Sequence, residues 1–412
     1  MKITDFLKNV FDKTIFVTLI ILFVTSACNT KRNSTSEAEI KSLIDSLQYI
    51  YAPDKRVSLW SVSIVENSDK IILIGEIDNE KAFNDIVDII VKKYPNVETN
   101  IKLLPEEGNE QVVTGLINNS VANLRSNPSH SAEIATQALL GTPIRVLKRE
   151  NDWYLVQTPN KYIAWIDVPA LVRINQDELS DLKLSRKVVY KKQYGFSYSE
   201  PDDSSQTVSD LVIGCILPVT AANSGFYKVQ YPDKRIAWVK KDEVVDAKEI
   251  FDRQIDEKEL IETAKKFVGV PYLWGGTSSK AVDCSGFTSM IYYMNGTVLQ
   301  RDASQQTKYG KEITTNYEYN NLQPGDLLFF GRKASDSVPE RVTHVVMYIG
   351  DTEFIHASGK VRINSMDSTR DNFIPEYVTR FVRAVRVIGA DGKGIEQISE
   401  NAFYKEIINN TE

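Results

Sequence analysis

One stretch of the chain occurs twice without a gap, and this repeat narrows the possible folds more than any other feature. Trp153-Tyr154-Leu155-Val156-Gln157, followed by Pro159, Lys161 and Ile163-Ala164-Trp165-Ile166, returns as Phe226-Tyr227-Lys228-Val229-Gln230, Pro232, Lys234 and Ile236-Ala237-Trp238-Val239. The same order of apolar and polar positions must bury the same faces each time, so two copies imply two similar domains. Each copy reads as a strand, a proline-bearing turn and a second strand, the pattern of a hairpin in a small barrel of short strands. With 412 residues, the chain has room on either side for further cores.

The N-terminus has its own pattern. Lys2, Lys8 and Lys13 precede an apolar run over residues 15–24, followed by small residues, which is the layout of a secretory signal. The run is about half of what a membrane-spanning helix needs. Cys28 follows Thr25-Ser26-Ala27, which resembles a lipoprotein cleavage box with Cys28 as the lipidation site, although Thr25 stands where that pattern favours Leu. Ordinary cleavage near Ala27 is the alternative. Residues 1–28 are thus expected to be a signal segment and 29–37 a polar tether, on an exported protein, periplasmic or membrane-anchored and facing the cell envelope. A net charge of −6, with no glycine-rich phosphate cradle and no basic patch interleaved with aromatics, gives no reason to expect a nucleic-acid partner.

Hydrophobic periodicity divides the rest. Residues 38–108 read as a small α+β unit of unknown role, with strands at 58–64, 70–77 and 99–104 and a helix carrying Phe83, Ile86, Val87, Ile90, Val91 and Tyr94. The barrels are placed at 111–173 and 184–248. From 256 to 390 the pattern is a second, larger α+β domain. Its first helix carries Leu260, Ile261, Ala264, Phe267 and Val268 and breaks at Gly269 and Pro271. A second follows Asp283, with Phe287, Met290, Ile291 and Met294 on one face and Gly296 at its end. Strands at 326–330, 343–349, 353–357 and 381–388 supply a sheet, and 391–412 are read as a C-terminal tail. The fold class is multidomain α+β.

Apart from Cys28, the cysteines are Cys215 and Cys284. Cys215 lies in the apolar run 211–219, where a buried, inert thiol is expected. Cys284 sits at a helix start behind a capping Asp283, where N–H groups and the helix dipole favour a thiolate and a developing oxyanion. A base must come from His130, His344 or His356. His130 reads as a surface loop residue, whereas the other two lie on consecutive strands. A three-residue loop at 350–352 puts residues 344, 346, 356 and 358 on one sheet face, and both imidazoles then point toward Cys284. A two-residue loop, Asp351-Thr352, turns His356 to the opposite face. These three side chains also have zinc-ligand chemistry, but no CxxC or HExxH spacing accompanies them, and no metal is expected.

Five motifs give the domain a family resemblance: Pro271-Tyr272-Leu273-Trp274-Gly275-Gly276, Asp283-Cys284-Ser285-Gly286-Phe287, Arg301-Asp302-Ala303-Ser304, Gln323-Pro324-Gly325-Asp326-Leu327 and Thr343-His344-Val345. In this order they resemble the NlpC family of papain-like cell-wall peptidases, and the repeats resemble the bacterial SH3-like domains that accompany wall-degrading enzymes. The resemblance implies Cys284 as nucleophile, His344 as base, His356 as the group orienting it, and no cofactor. Two such barrels ahead of such a domain resemble the γ-D-glutamyl-L-diamino-acid endopeptidases. Those enzymes take murein stem peptides with a free N-terminal L-Ala and release L-Ala-γ-D-Glu from the diamino acid, lysine or diaminopimelate.

Carried over to this chain, Asp283 and Asp302 would meet the substrate ammonium, with Ser285 and Tyr272 as hydroxyl donors. Trp274 would line the cleft, and Ser304 would supply a contact that Ala303 lacks. Asn123-Leu124-Arg125, His130, Glu133 and Thr136-Gln137 resemble the first-barrel loop that closes the cleft, with Glu133 as an ammonium partner and Tyr162 as an aromatic one. The alternatives are a broader endopeptidase on intact wall with wall-binding barrels, or a non-catalytic wall-binding lipoprotein.

Overall fold

The computed structural model describes residues 37–67, 70–105, 114–315, 319–390, 392 and 394–408. The signal segment, Cys28 and the tether up to residue 36 lie outside them. The chain forms two compact units, one ending at Glu106 and the other beginning at Glu107.

In the first unit Ser63–Asn67 pairs antiparallel with Lys70–Ile77, which pairs in parallel with Glu98–Leu103 across the helix Glu80–Lys93. Asn79 caps that helix by accepting from the Ala82 N–H, Glu80 lies in its first turn and Lys92 and Lys93 in its last. Two details differ from the sequence reading. The first strand begins at Ser63, not residue 58, because Trp60 makes only an isolated bridge to Ile77 and buries its ring in the core. Residues 37–51 are helical and bury Ile40, Ile44 and Leu47, an i, i+4, i+7 stripe at the start of the α+β unit to which the sequence reading gives no element.

The second unit begins with the barrels. Seven strands from Thr114–Ile117 to Leu171–Arg173 form one sheet around a core of its own, and seven from Lys187–Tyr190 to Val244–Asp246 form another, whose core runs on into that of the domain that follows. The helix Gln176–Leu184 joins them, held at its start by a reciprocal capping box between Asn175 and Glu178. Cys215 is fully buried in the second barrel, its thiol on the Ser120 carbonyl at 3.5 Å.

The remainder is a six-stranded antiparallel sheet in the order Lys311–Ile313, Phe381–Arg386, Leu327–Arg332, Arg341–Gly350, Glu353–Ser358 and Lys360–Ser365. The helix Cys284–Tyr293 is buried along nearly its whole length, as its run of apolar and small residues requires. The C-terminal segment is not a free tail: Ile395–Gln397 pairs with Thr297–Leu299, and Ile398, Tyr404 and Ile407 are buried.

Candidate active site

Cys284 opens its helix, and Asp283 caps it by accepting the Gly286 N–H at 2.7 Å. The N–H groups of Cys284 and Ser285 stand at the helix tip, where no earlier turn can accept them. The Ser285 and Val345 N–H groups both favour the charged form of the Cys284 sulfur. Val345 follows His344 on its strand, so the helix tip stands beside the strand that carries this histidine.

The two histidines reach one face by an unexpected route. The connecting loop is the two-residue Asp351-Thr352, both at positive φ (51° and 63°), with Gly350 facing Glu353. On its own that turn would separate the imidazoles. The register slips between Tyr348 and Gly350, leaving Ile349 as an extra residue, so that Met347 faces Ile355 and parity is restored.

His344 Nε2 lies 2.9 Å from His356 Nδ1, and His356 Nε2 lies 2.9 Å from Asn364 Oδ1. Asn364 Nδ2 donates to the Asn372 carbonyl at 3.0 Å, which orients the amide and leaves its oxygen as acceptor. His356 therefore carries its proton on Nε2 and accepts at Nδ1, and His344 carries its proton on Nε2, leaving Nδ1 as the basic lone pair. The Tyr377 hydroxyl closes the cluster, 3.1 Å from His356 Nδ1 and 3.4 Å from His344 Nε2.

Asp283 and Ser285, expected from the resemblance to meet a substrate ammonium, face inward instead. Asp283 accepts from Arg301 Nη1 (3.1 Å) and Nη2 (2.6 Å), the Gly275 N–H (2.9 Å), Ser285 Oγ (3.2 Å) and the cap. Ser285 Oγ accepts in turn from Arg301 Nη1 at 3.0 Å. An arginine only 1% exposed needs its charge matched, and Asp283 supplies that match. This pair ties the start of the thiol helix to the segment that carries Asp302.

Arg301 Nε donates at 2.8 Å to Thr136 Oγ1 of the first barrel, and Gln137 Oε1 accepts from the Thr277 N–H at 2.9 Å and from Ser278 Oγ at 3.1 Å. The Tyr162 hydroxyl donates to Asp302 at 3.3 Å, and the indole N–H of the exposed Trp274 donates to Glu133. Tyr272 and Ser304 are half-buried beside these groups, and Ala303 is buried. His130 lies apart in an exposed turn, its ring 4.9 Å from Trp153.

The NlpC/P60 family model matches residues 269–383, the bacterial SH3 domain model 120–171 and the GW (Gly-Tryp) dipeptide domain model 185–245. A γ-D-glutamyl-L-lysine dipeptidyl-peptidase of Bacillus cereus is 31% identical over 263 residues, 60% of this chain and 75% of that enzyme. Dipeptidyl-peptidase 6 of Lysinibacillus sphaericus is 29% identical over 287 residues, 66% of this chain and 96% of that one. The crystal structure of an NlpC/P60 family protein from Bacillus cereus superposes with a TM-score of 0.57 at 26% identity, covering 67% of this chain and 99% of that one. The chain belongs to the NlpC/P60 family. It is a hydrolase.

In this NlpC/P60 site burial works against the thiolate that the helix tip favours. Burial, reinforced by the Asp283 charge, pushes the Cys284 thiol up to about 12, against the opposing pull of Arg301 and the Val345 and Ser285 N–H groups. Burial also lowers His344 to about 3, helped by His356, Arg380 and Arg362, and lowers His356 to about 4, with the Asn364 bond resisting. Burial thus favours the uncharged thiol and the uncharged imidazole. Burial, with the Asp283 charge adding to it, raises Tyr272 to about 12, so its phenol stays a donor.

Arg301, Tyr377 and Asn364 complete this geometry and escaped sequence reasoning. Arg301 was legible as a basic residue in the same motif as Asp302. Asn364 lies opposite Phe354, on the sheet face that His356 shares, a placement that depends on strand pairing alone.

Proposed function

We propose that the protein is a peptidoglycan peptidase, exported to the cell envelope, that hydrolyses the bond between γ-D-Glu and the diamino acid of stem peptides with a free N-terminal L-Ala. What supports this reading is the contact between the first barrel and the rim of the cleft, Glu133 at Trp274 and Tyr162 at Asp302. A closed end lined by Glu133 and Asp302 suits a substrate that ends there in an ammonium and has no chain beyond it. Asp283 takes no part in that recognition, being saturated by Arg301.

In this mechanism His344 Nδ1 takes the Cys284 proton as sulfur attacks the γ-carbonyl carbon, and the oxyanion forms against the helix-tip N–H groups. The C–N bond breaks as the imidazolium returns its proton to the leaving amine. Water, deprotonated by His344, then attacks the thioester, releasing L-Ala-D-Glu and restoring the thiol. His356, held by Asn364, keeps the imidazole in the tautomer that accepts at Nδ1.

The test is mass spectrometry of products from L-Ala-γ-D-Glu-L-Lys, its diaminopimelate counterpart, their N-acetylated forms and polymeric wall. Cleavage confined to the free-amine tripeptides is expected. Equal cleavage of N-acetylated peptide or intact wall would instead establish the broader endopeptidase, and no cleavage with an unlabelled Cys284 would establish a binding protein.

A further inference from the structure

The C-terminal segment lies beyond the stretch matched to the family, yet it grips the first barrel at the turn that carries Tyr162. Asn401 is 1% exposed. Its Nδ2 donates to the Pro159 carbonyl at 3.0 Å and to Glu396 Oε2 at 2.7 Å, while its Oδ1 accepts the Phe403 N–H at 3.1 Å, which fixes the amide. The other Glu396 oxygen accepts from Lys161 Nζ at 3.0 Å. Pro159 and Lys161 sit in a turn closed by the Thr158 N–H on the Tyr162 carbonyl (3.0 Å) and the Lys161 N–H on the Thr158 carbonyl (2.7 Å). Tyr162 then donates to Asp302.

The segment is itself anchored to the NlpC/P60 domain. Ile395–Gln397 pairs with Thr297–Leu299, the Ile398 N–H donates to the Gly296 carbonyl at 2.8 Å, and Tyr404 packs near Phe251 and Tyr293. The grip is not needed to form the turn. The equivalent turn of the second barrel has the same left-handed lysine, Lys234 at φ 71° against Lys161 at 67°, and among the described residues the C-terminal segment makes none of these bonds there. What the segment adds at the first barrel is aim.

We propose that Asn401, with Glu396 and Lys161, positions Tyr162 against Asp302, so that the C-terminal segment sets how the cleft receives the N-terminal end of its substrate. This rests on the functional reading above for what Tyr162 meets. Asn401 touches no substrate and acts through the turn.

The test compares Asn401→Ala with the wild type in the full chain, alone and in a Tyr162→Phe background. Loss of one buried hydrogen-bond set is expected to raise KM for L-Ala-γ-D-Glu-L-Lys about 3- to 10-fold, with kcat and the alkylation rate of Cys284 by iodoacetamide unchanged. In the Tyr162→Phe background the same substitution should add nothing further, because both act through one hydroxyl. An equal rise in both backgrounds, or a fall in kcat together with alkylation, overturns the proposal.

Hydrogen exchange provides a readout free of the substrate assignment. Amides of residues 158–162 should exchange faster in Asn401→Ala while those of residues 231–235 do not change, and unchanged exchange at 158–162 refutes the positioning role. Should the wild type not cleave the tripeptide, the functional reading fails and exchange alone decides the strap. If Asn401→Ala does not fold, Glu396→Gln, which keeps the shape and loses the Lys161 charge pair, is expected to give the same pattern at smaller amplitude.

Discussion

In the first barrel the turn at residues 159–162 ends on a phenol whose hydroxyl donates to Asp302. In the second, the same turn at 232–235 ends on Arg235, which stacks over Tyr231 at 4.6 Å and pairs with Asp233 at 2.7 Å. The paired strands differ in the same way. Ile134–Leu139 presents Thr136 and Gln137 to Arg301 and Thr277 beside the thiol helix, whereas Thr207–Val212 presents Asp210 to Lys280, on the turn between Thr277–Ser278 and Ala281–Val282. The repeated apolar positions specify the barrel twice. A few polar residues at its turns and edges then decide whether a copy meets the segment that carries Arg301 and Asp302 or the turn that carries Lys280.

The largest effect should fall outside both barrels and set the zero for judging them. Cys284→Ala is expected to lower turnover at least ~10⁴-fold with the fold intact. Cys215→Ala, in the core of the second barrel, should leave kcat/KM within about twofold. Steady-state hydrolysis and circular dichroism check both, and retained turnover without Cys284 removes the chemical assignment.

Next come the two docking contacts. Arg301→Met strands a buried carboxylate on Asp283 and is expected to cost about 3–5 kcal/mol. Lys280→Met, at a pair whose lysine is 41% exposed, should cost less than ~1 kcal/mol. Urea midpoints measure both, and equal losses would erase the difference drawn between the barrels.

Local signals made part of this legible. A capping Asp283 before the helix and Gly296 after it located the thiol, because caps act within one turn. The shared face of the histidines was undecidable, since it depends on a bulge at Ile349 that strand pairing imposes from outside the hairpin. The inward turn of Asp283 also could not be read: its partner Arg301 is 18 positions away, and a buried ion pair leaves no periodicity. Tyr377 and Asn364 belong to no motif. By contrast, the apolar spacing of the helix over 37–51, in Ile40, Ile44 and Leu47, is present in the sequence, and the sequence reading of 38–108 gives it no element.

Acid should also act away from the barrels. The folded values of His344 and His356 lie below the ordinary 6.5, at about 3 and 4. As pH falls through 6.5 the unfolded chain takes up protons that the folded chain refuses. The stability these groups contribute is therefore complete above 6.5 and drains away toward about pH 4. For the fully buried His356 the loss is about 2–3 kcal/mol between pH 7 and 4. His356→Gln should flatten that part of the urea midpoint against pH, whereas an unchanged slope would place the acid sensitivity elsewhere.

The smallest effect bears most directly on the barrels. Tyr162→Phe removes one hydroxyl that donates to Asp302, and one such bond corresponds to about a 5- to 10-fold fall in kcat/KM for a free-amine tripeptide. In the proposed mechanism the hydroxyl stands at the substrate end and not at the thiol, so the fall should appear in KM, with kcat nearly constant. Arg235→Ala removes the side chain at the equivalent position of the second barrel, where its partners are Asp233 and the Tyr231 ring, and should move neither constant beyond about twofold. If Arg235→Ala raises KM as Tyr162→Phe does, the second barrel also shapes the cleft, and the division of labour between the copies is wrong. If neither does, the first barrel's turn is packing alone, and the proposed ammonium site reduces to Glu133 and Asp302.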